Sequence, residues 1–126
     1  MFARLTGMIL GATLALSGTA RAELGDDGLH VAPWLNQTFM DLREDLGDAT
    51  AQGKRFAVII EQRGCIYCSR MHEEVWIEPD ILQLLEEEFF FVRINMHGST
   101  EVTDFDGETM EERQIARRWR NLFTPT

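Results

Sequence analysis

Two apolar runs constrain this chain more than anything else in it: RFAVIIE at Arg55–Glu61 and FFFVRINM at Phe89–Met96. Both are short, both are rich in β-branched or aromatic residues, and neither alternates strictly with polar ones. Such runs predict strands buried on both faces, as parallel sheets require. Between them the spacing is helical. Cys65 opens a helix that continues through Val75, and Pro79 restarts one after Glu78, with Ile81, Leu84, Leu85 and Phe89 on a common face. Two buried strands joined by helix imply a parallel pair with a right-handed crossover.

The flanks complete an α/β order of helix, strand, helix, strand, helix. Residues 23–33 read as a loop. A helix is predicted from about Trp34 to Ala51, because Leu35, Phe39, Leu42 and Leu46 fall on one face, and Gly53-Lys54 ends it. The stretch HGSTEVTDFDGET, from His97, reads as a polar loop. Its acids lack the D-x-D-x-D-G spacing with a terminal Glu, so calcium is not expected there. A last amphipathic helix is predicted from about Met110 to Asn121, with Ile115, Ala116 and Trp119 inward.

A length of 126 residues suits one domain. The formal net charge of −9 argues against nucleic acid as a partner. The arginines at 113, 117, 118 and 120 read as a solvated helix face balanced by Glu111 and Glu112. The first 22 residues differ in kind: a basic start at Arg4, an apolar run from Met8 to Leu16, and a small-x-small ending at Ala20-Arg21-Ala22. This is the layout of a secretory signal peptide, and its core is short for a membrane span. The expectation is cleavage after Ala22, leaving residues 23–126 as one domain that is not an integral membrane protein. The compartment is then outside the cytoplasm, where disulfides form and persist.

Both cysteines of the chain lie in EQRGCIYCSRMHEE, Glu61–Glu74. Cys65 stands where a strand ends and a helix begins, the position at which open α/β sheets place their chemistry. A helix N-terminus carries partial positive charge and free N–H groups, which stabilise a thiolate. Arg63 adds a nearby cation. Cys68, one turn further on and more buried, is the natural resolving thiol. No cofactor is required beyond the Cys65–Cys68 disulfide itself. Haem attachment needs His directly after the second cysteine, and Ser69 is there instead. A structural bridge this short would remove little chain entropy. A copper or zinc site using Cys65, Cys68 and His72, with His97 as a fourth ligand, is the alternative of a different class. His30 has no visible role.

A strand, a C-x-x-C at a helix start, and the ending Thr124-Pro125-Thr126 together resemble the thioredoxin-like superfamily. EQRGCIYCSRMHEEVW, VTDFDGETM and ARRW…FTPT resemble more narrowly the periplasmic thioredoxin-like proteins of bacterial sulfur-oxidation (Sox) systems. The resemblance covers about residues 34–126. It implies a thioredoxin-like fold and a thiol-disulfide oxidoreductase that reduces periplasmic client disulfides, fed by a membrane thiol-electron transporter. It implies catalytic roles for Cys65 and Cys68, and client contact at Ile66, Tyr67, Thr124 and Pro125, with Pro125 cis. An oxidase or isomerase of the same fold is a further alternative.

Three features depart from the thioredoxin pattern. Ile66-Tyr67 replaces Gly-Pro between the cysteines. The buried Asp expected six residues before Cys65 is Ile59, which leaves Glu61 as the candidate proton acceptor. The sequence also stops just after Pro125, where the fold calls for two further antiparallel strands and a closing helix. The expectation is an incomplete, C-terminally truncated thioredoxin-like domain.

Overall fold

The computed structural model describes residues 22–126, so the expected leader lies, but for Ala22, outside the described residues. At the centre β3 (Arg55–Glu61) pairs in parallel with β4 (Phe89–Asn95), in register from Arg55 with Phe89 to Glu61 with Asn95. Two further contacts widen this pair. Leu35 bridges to Phe91 on the far edge of β4, and Thr126 exchanges both backbone hydrogen bonds with Ile60 on the far edge of β3.

Alternation along the strands gives the sheet two apolar faces. Ile60, Phe90, Val92 and Ile94 join Leu42 and Ala49 of α1 (Leu42–Ala51) and Ile115 and Ala116 of α4 (Glu112–Arg118) in one core. Ile59 and Phe91 face the other way, packing with Trp34 and with Ile81, Leu82 and Leu85 of α3 (Pro79–Glu88). Glu61 and Arg93 share the alternation of Ile59 and Phe91, as exposed Arg55 does at the other end of β3, which places three charged side chains on this second face, with Glu61 the fully buried one.

The first predicted helix is half as long as its spacing suggested. Trp34–Phe39 is not helical: the Asn36 backbone N–H and side-chain amide both donate to the Phe91 carbonyl, at 2.8 and 3.1 Å, which holds this segment along β4. Met40 at φ 59° turns the chain, and Asp41 then caps α1 by accepting the Arg43 N–H at 3.0 Å. Phe39, expected inward, is fully exposed. The helix ends as read, with Gly53 at φ 68°.

Both predicted loops contain hairpins. β1 (Glu23–Leu24) pairs antiparallel with β2 (His30–Val31), and β5 (Glu101–Thr103) with β6 (Thr109–Glu111). α2 (Ile66–Arg70) runs straight into a π-helical turn at Met71–Val75, closed by the Trp76 N–H donating to the Met71 carbonyl at 2.8 Å. Such wide turns recur at functional sites. Among the described residues, no helix is long and apolar enough to cross a membrane.

Candidate active site

The turn Gln62–Gly64, with Gly64 at φ 72°, redirects the chain from β3 into α2 and leaves Cys65 as the N-cap residue. Its backbone is extended, and its Sγ accepts the Cys68 N–H at 3.1 Å. Cys65 and Cys68 form a disulfide with Cα atoms 5.2 Å apart. Cys65 is 8% exposed and Cys68 only 1%, so an incoming sulfur reaches Cys65 first. Ile66 and Tyr67 project into solvent beside it.

The C-terminal segment closes over the same sulfur. The Thr124–Pro125 peptide is cis. The Thr124 hydroxyl donates to Cys65 Sγ at 3.2 Å, and the Thr124 carbonyl lies 3.5 Å from that sulfur. Pro125 borders a groove lined by Tyr67, Met71 and Val75. Arg63, expected as a cation for Cys65, instead lays its side chain against Gly28 of the β1–β2 turn, where any Cβ would meet it within about 3 Å.

This is a two-cysteine centre at the carboxyl edge of a parallel strand, capped by a cis-proline segment. The thioredoxin-like domain family matches residues 42–126. The chain belongs to that family. The match begins at the first residue of α1 and includes the C-x-x-C pair, which carries a thiol-disulfide redox role in general terms. No curated protein matches the chain.

Beneath this thioredoxin-like centre lies a buried polar cluster that sequence reasoning found only in part. Glu61, the last residue of β3, is 1% exposed rather than solvated, and its Oε1 lies 2.7 Å from His72 Nε2. The π-helical turn carries His72 to this position, one turn beyond Cys68. His30 of β2 stacks on the His72 ring at 4.5 Å, Trp34 stacks on it at 5.7 Å, and Trp76 meets its edge at 4.6 Å. Burial, and then the neighbouring His72, holds His30 below its ordinary imidazole pKa. Arg93 completes the enclosure: its guanidinium donates to the His30 carbonyl and lies 3.9 Å from Glu61 Oε2, a buried oxygen with no hydrogen-bond partner.

His30, Glu61 and His72 bring three ligand-type atoms within 4.8 Å of one another, and among the described residues this is the group able to share a metal ion. The Arg93 charge beside Glu61 works against a cation there. Neither cysteine belongs to the group. His72, weighed as a metal partner of the cysteines, spends its Nε2 on Glu61 instead. His97, weighed as a fourth ligand, bonds Gln62 Oε1 at 3.0 Å. The signal that could have found the cluster is Arg93 inside one apolar run together with Glu61 at the end of the other, beside the cysteines.

Proposed function

We propose that this chain is a periplasmic thiol-disulfide oxidoreductase that reduces client protein disulfides, serving a sulfur-oxidation pathway and re-reduced by a membrane thiol-electron transporter. The observation that carries the reductive chemistry is the environment of Cys65 Sγ. It sits at a helix N-terminus, accepts the Cys68 N–H at 3.1 Å and the Thr124 hydroxyl at 3.2 Å, and is the more accessible sulfur of the pair. Each of these favours a thiolate over a thiol. The periplasmic location rests on the leader-like sequence of residues 1–22, and the pathway on the resemblance of the cysteine and C-terminal motifs.

The reaction runs in two exchanges. The reduced Cys65 thiolate attacks one sulfur of the client disulfide, the client S–S bond breaks, and the departing client sulfur leaves as a thiolate and takes up a proton. Cys68 then loses its proton and attacks Cys65 Sγ. The mixed disulfide breaks, the second client thiol departs, and Cys65–Cys68 closes. Two electrons pass from the pair to the client. Glu61, with His72 against it, is the acceptor for the Cys68 proton. Ile66, Tyr67, Leu122 and Phe123 are exposed apolar side chains on the segments around Cys65, and with the Thr124–Pro125 backbone they form the surface on which an extended client lies.

The test uses paired variants. Cys65→Ser abolishes disulfide reduction, and Cys68→Ser accumulates mixed disulfides with periplasmic clients; an active Cys65→Ser protein would overturn the assignment. The Cys65–Cys68 reduction potential sets direction: a value around −270 mV marks a reductase and one around −120 mV an oxidant. Metal delivery through Cys65, Cys68 and His72 is disfavoured by the His72–Glu61 contact. Zinc or copper binding to the reduced protein that disappears with His72 would restore it.

A further inference from the structure

Four residues from three segments distant in sequence converge on one line of hydrogen bonds. His97 Nε2, in the exposed loop after β4, lies 3.0 Å from Gln62 Oε1. Gln62 Nε2 donates to Thr124 Oγ1 at 2.8 Å, and Thr124 Oγ1 donates to Cys65 Sγ at 3.2 Å. The chemistry of the amide fixes the direction. An amide oxygen only accepts and an amide nitrogen only donates. With Nε2 toward Thr124, the hydroxyl accepts from Gln62 and keeps its own proton for the sulfur. The Gln62 oxygen is then left to accept, so His97 presents Nε2–H. Turned the other way, Gln62 would take the Thr124 proton on its oxygen and withdraw it from Cys65.

We propose that Gln62 and His97 are positioning residues that fix the polarity of this chain, so that the Thr124 hydroxyl is held as a donor to the Cys65 thiolate. Thr124 serves both states of the sulfur. A protonated Cys65 thiol has the Thr124 carbonyl 3.5 Å away as an acceptor, whereas the thiolate takes the hydroxyl. Without Gln62 the hydroxyl is free to rotate, and the bias toward the thiolate is lost. This inference rests on the reading of Cys65 as the attacking thiol.

The experiment measures the pH midpoint of iodoacetamide alkylation at each cysteine of the reduced full chain, with the modified peptide identified by mass. In Thr124→Val the Cys65 midpoint rises by about one pH unit, the scale of one hydrogen bond to a charged group. Gln62→Met raises it in the same direction by a comparable or smaller amount, and His97→Ala by less. Because Gln62 acts through Thr124, the Gln62→Met/Thr124→Val double variant matches Thr124→Val alone. Thr124→Ser, which keeps the hydroxyl, restores the wild-type midpoint and covers the case in which Thr124→Val folds poorly. An unchanged midpoint in Gln62→Met, or additive effects in the double variant, would overturn the proposal. Preferential alkylation of Cys68 would overturn instead the assignment of the attacking thiol.

Discussion

Glu61 Oε1 and His72 Nε2 meet at 2.7 Å, with both side chains at most 2% exposed. One group is the last residue of a central strand, and the other lies one turn past the resolving cysteine. A buried carboxylate is costly unless it is paired, and here an imidazole partners one oxygen while Arg93 approaches the other.

The proposed role of Glu61 as proton acceptor for Cys68 predicts a kinetic phenotype. Glu61→Gln keeps a hydrogen bond to His72 but cannot take up a proton as readily. Release of the client from the mixed disulfide should slow by about a hundredfold, the usual scale for a lost general base. Formation of that mixed disulfide by Cys65 should change little. Stopped-flow measurement of the two exchanges separates these steps, and equal slowing of both would assign Glu61 a structural role.

Its structural role predicts a stability phenotype. His72→Leu leaves the Glu61 carboxylate buried with Arg93 alone, at 3.9 Å. Breaking one partner of a buried pair costs roughly 3–5 kcal/mol. Denaturant unfolding of oxidised His72→Leu should show a loss of that order, and the Glu61→Gln/His72→Leu double variant should recover part of it.

Acid should weaken the fold through His30. Its pKa is lowered in the folded chain by burial first and His72 second, so the unfolded chain binds the proton more readily. The stability tied to neutral His30 is whole above the ordinary imidazole value of about 6.5 and is lost as pH falls below it. His30→Gln should flatten that part of the stability–pH curve, as followed by urea midpoints between pH 7 and 5.

Asp45 predicts the opposite slope. It is buried, accepts the Thr38 hydroxyl at 3.1 Å, and has a raised pKa, chiefly through burial. A carboxyl raised on folding favours the native state at low pH, and that advantage is lost as pH rises through the folded value. Asp45→Asn keeps an acceptor for Thr38 without the charge. It should stabilise the protein at neutral pH, with the gain shrinking on acidification. Thermal midpoints at two pH values decide it.

The parts of the fold that the sequence announced are those in which local pattern and burial agree. β3 and β4 are continuous apolar runs, and a turn with Gly64 followed by Cys65 marks a helix start. The first helix misled because Leu35 shares a helical spacing with Leu42 while its segment is held to β4 by Asn36 and Phe91. The hairpins escaped because strands of two or three residues carry too little alternation to register. His30 was invisible for a different reason. The His72 ring on which it stacks, and Arg93, which reaches its carbonyl, are brought to it only by the fold.

The β1–β2 hairpin, finally, sets an order of assembly. His30 and Trp34 stack on His72, and Arg93 reaches back to the His30 carbonyl and to Asp27. The earliest residues of the described chain are thus the outer wall of a chamber whose inner wall is made by the middle of it. A chain emerging N-terminus first cannot seal that chamber until β4 has been delivered. Until then water reaches the Glu61 carboxylate, so the enclosure of that carboxylate is completed later than the Cys65–Cys68 disulfide can form.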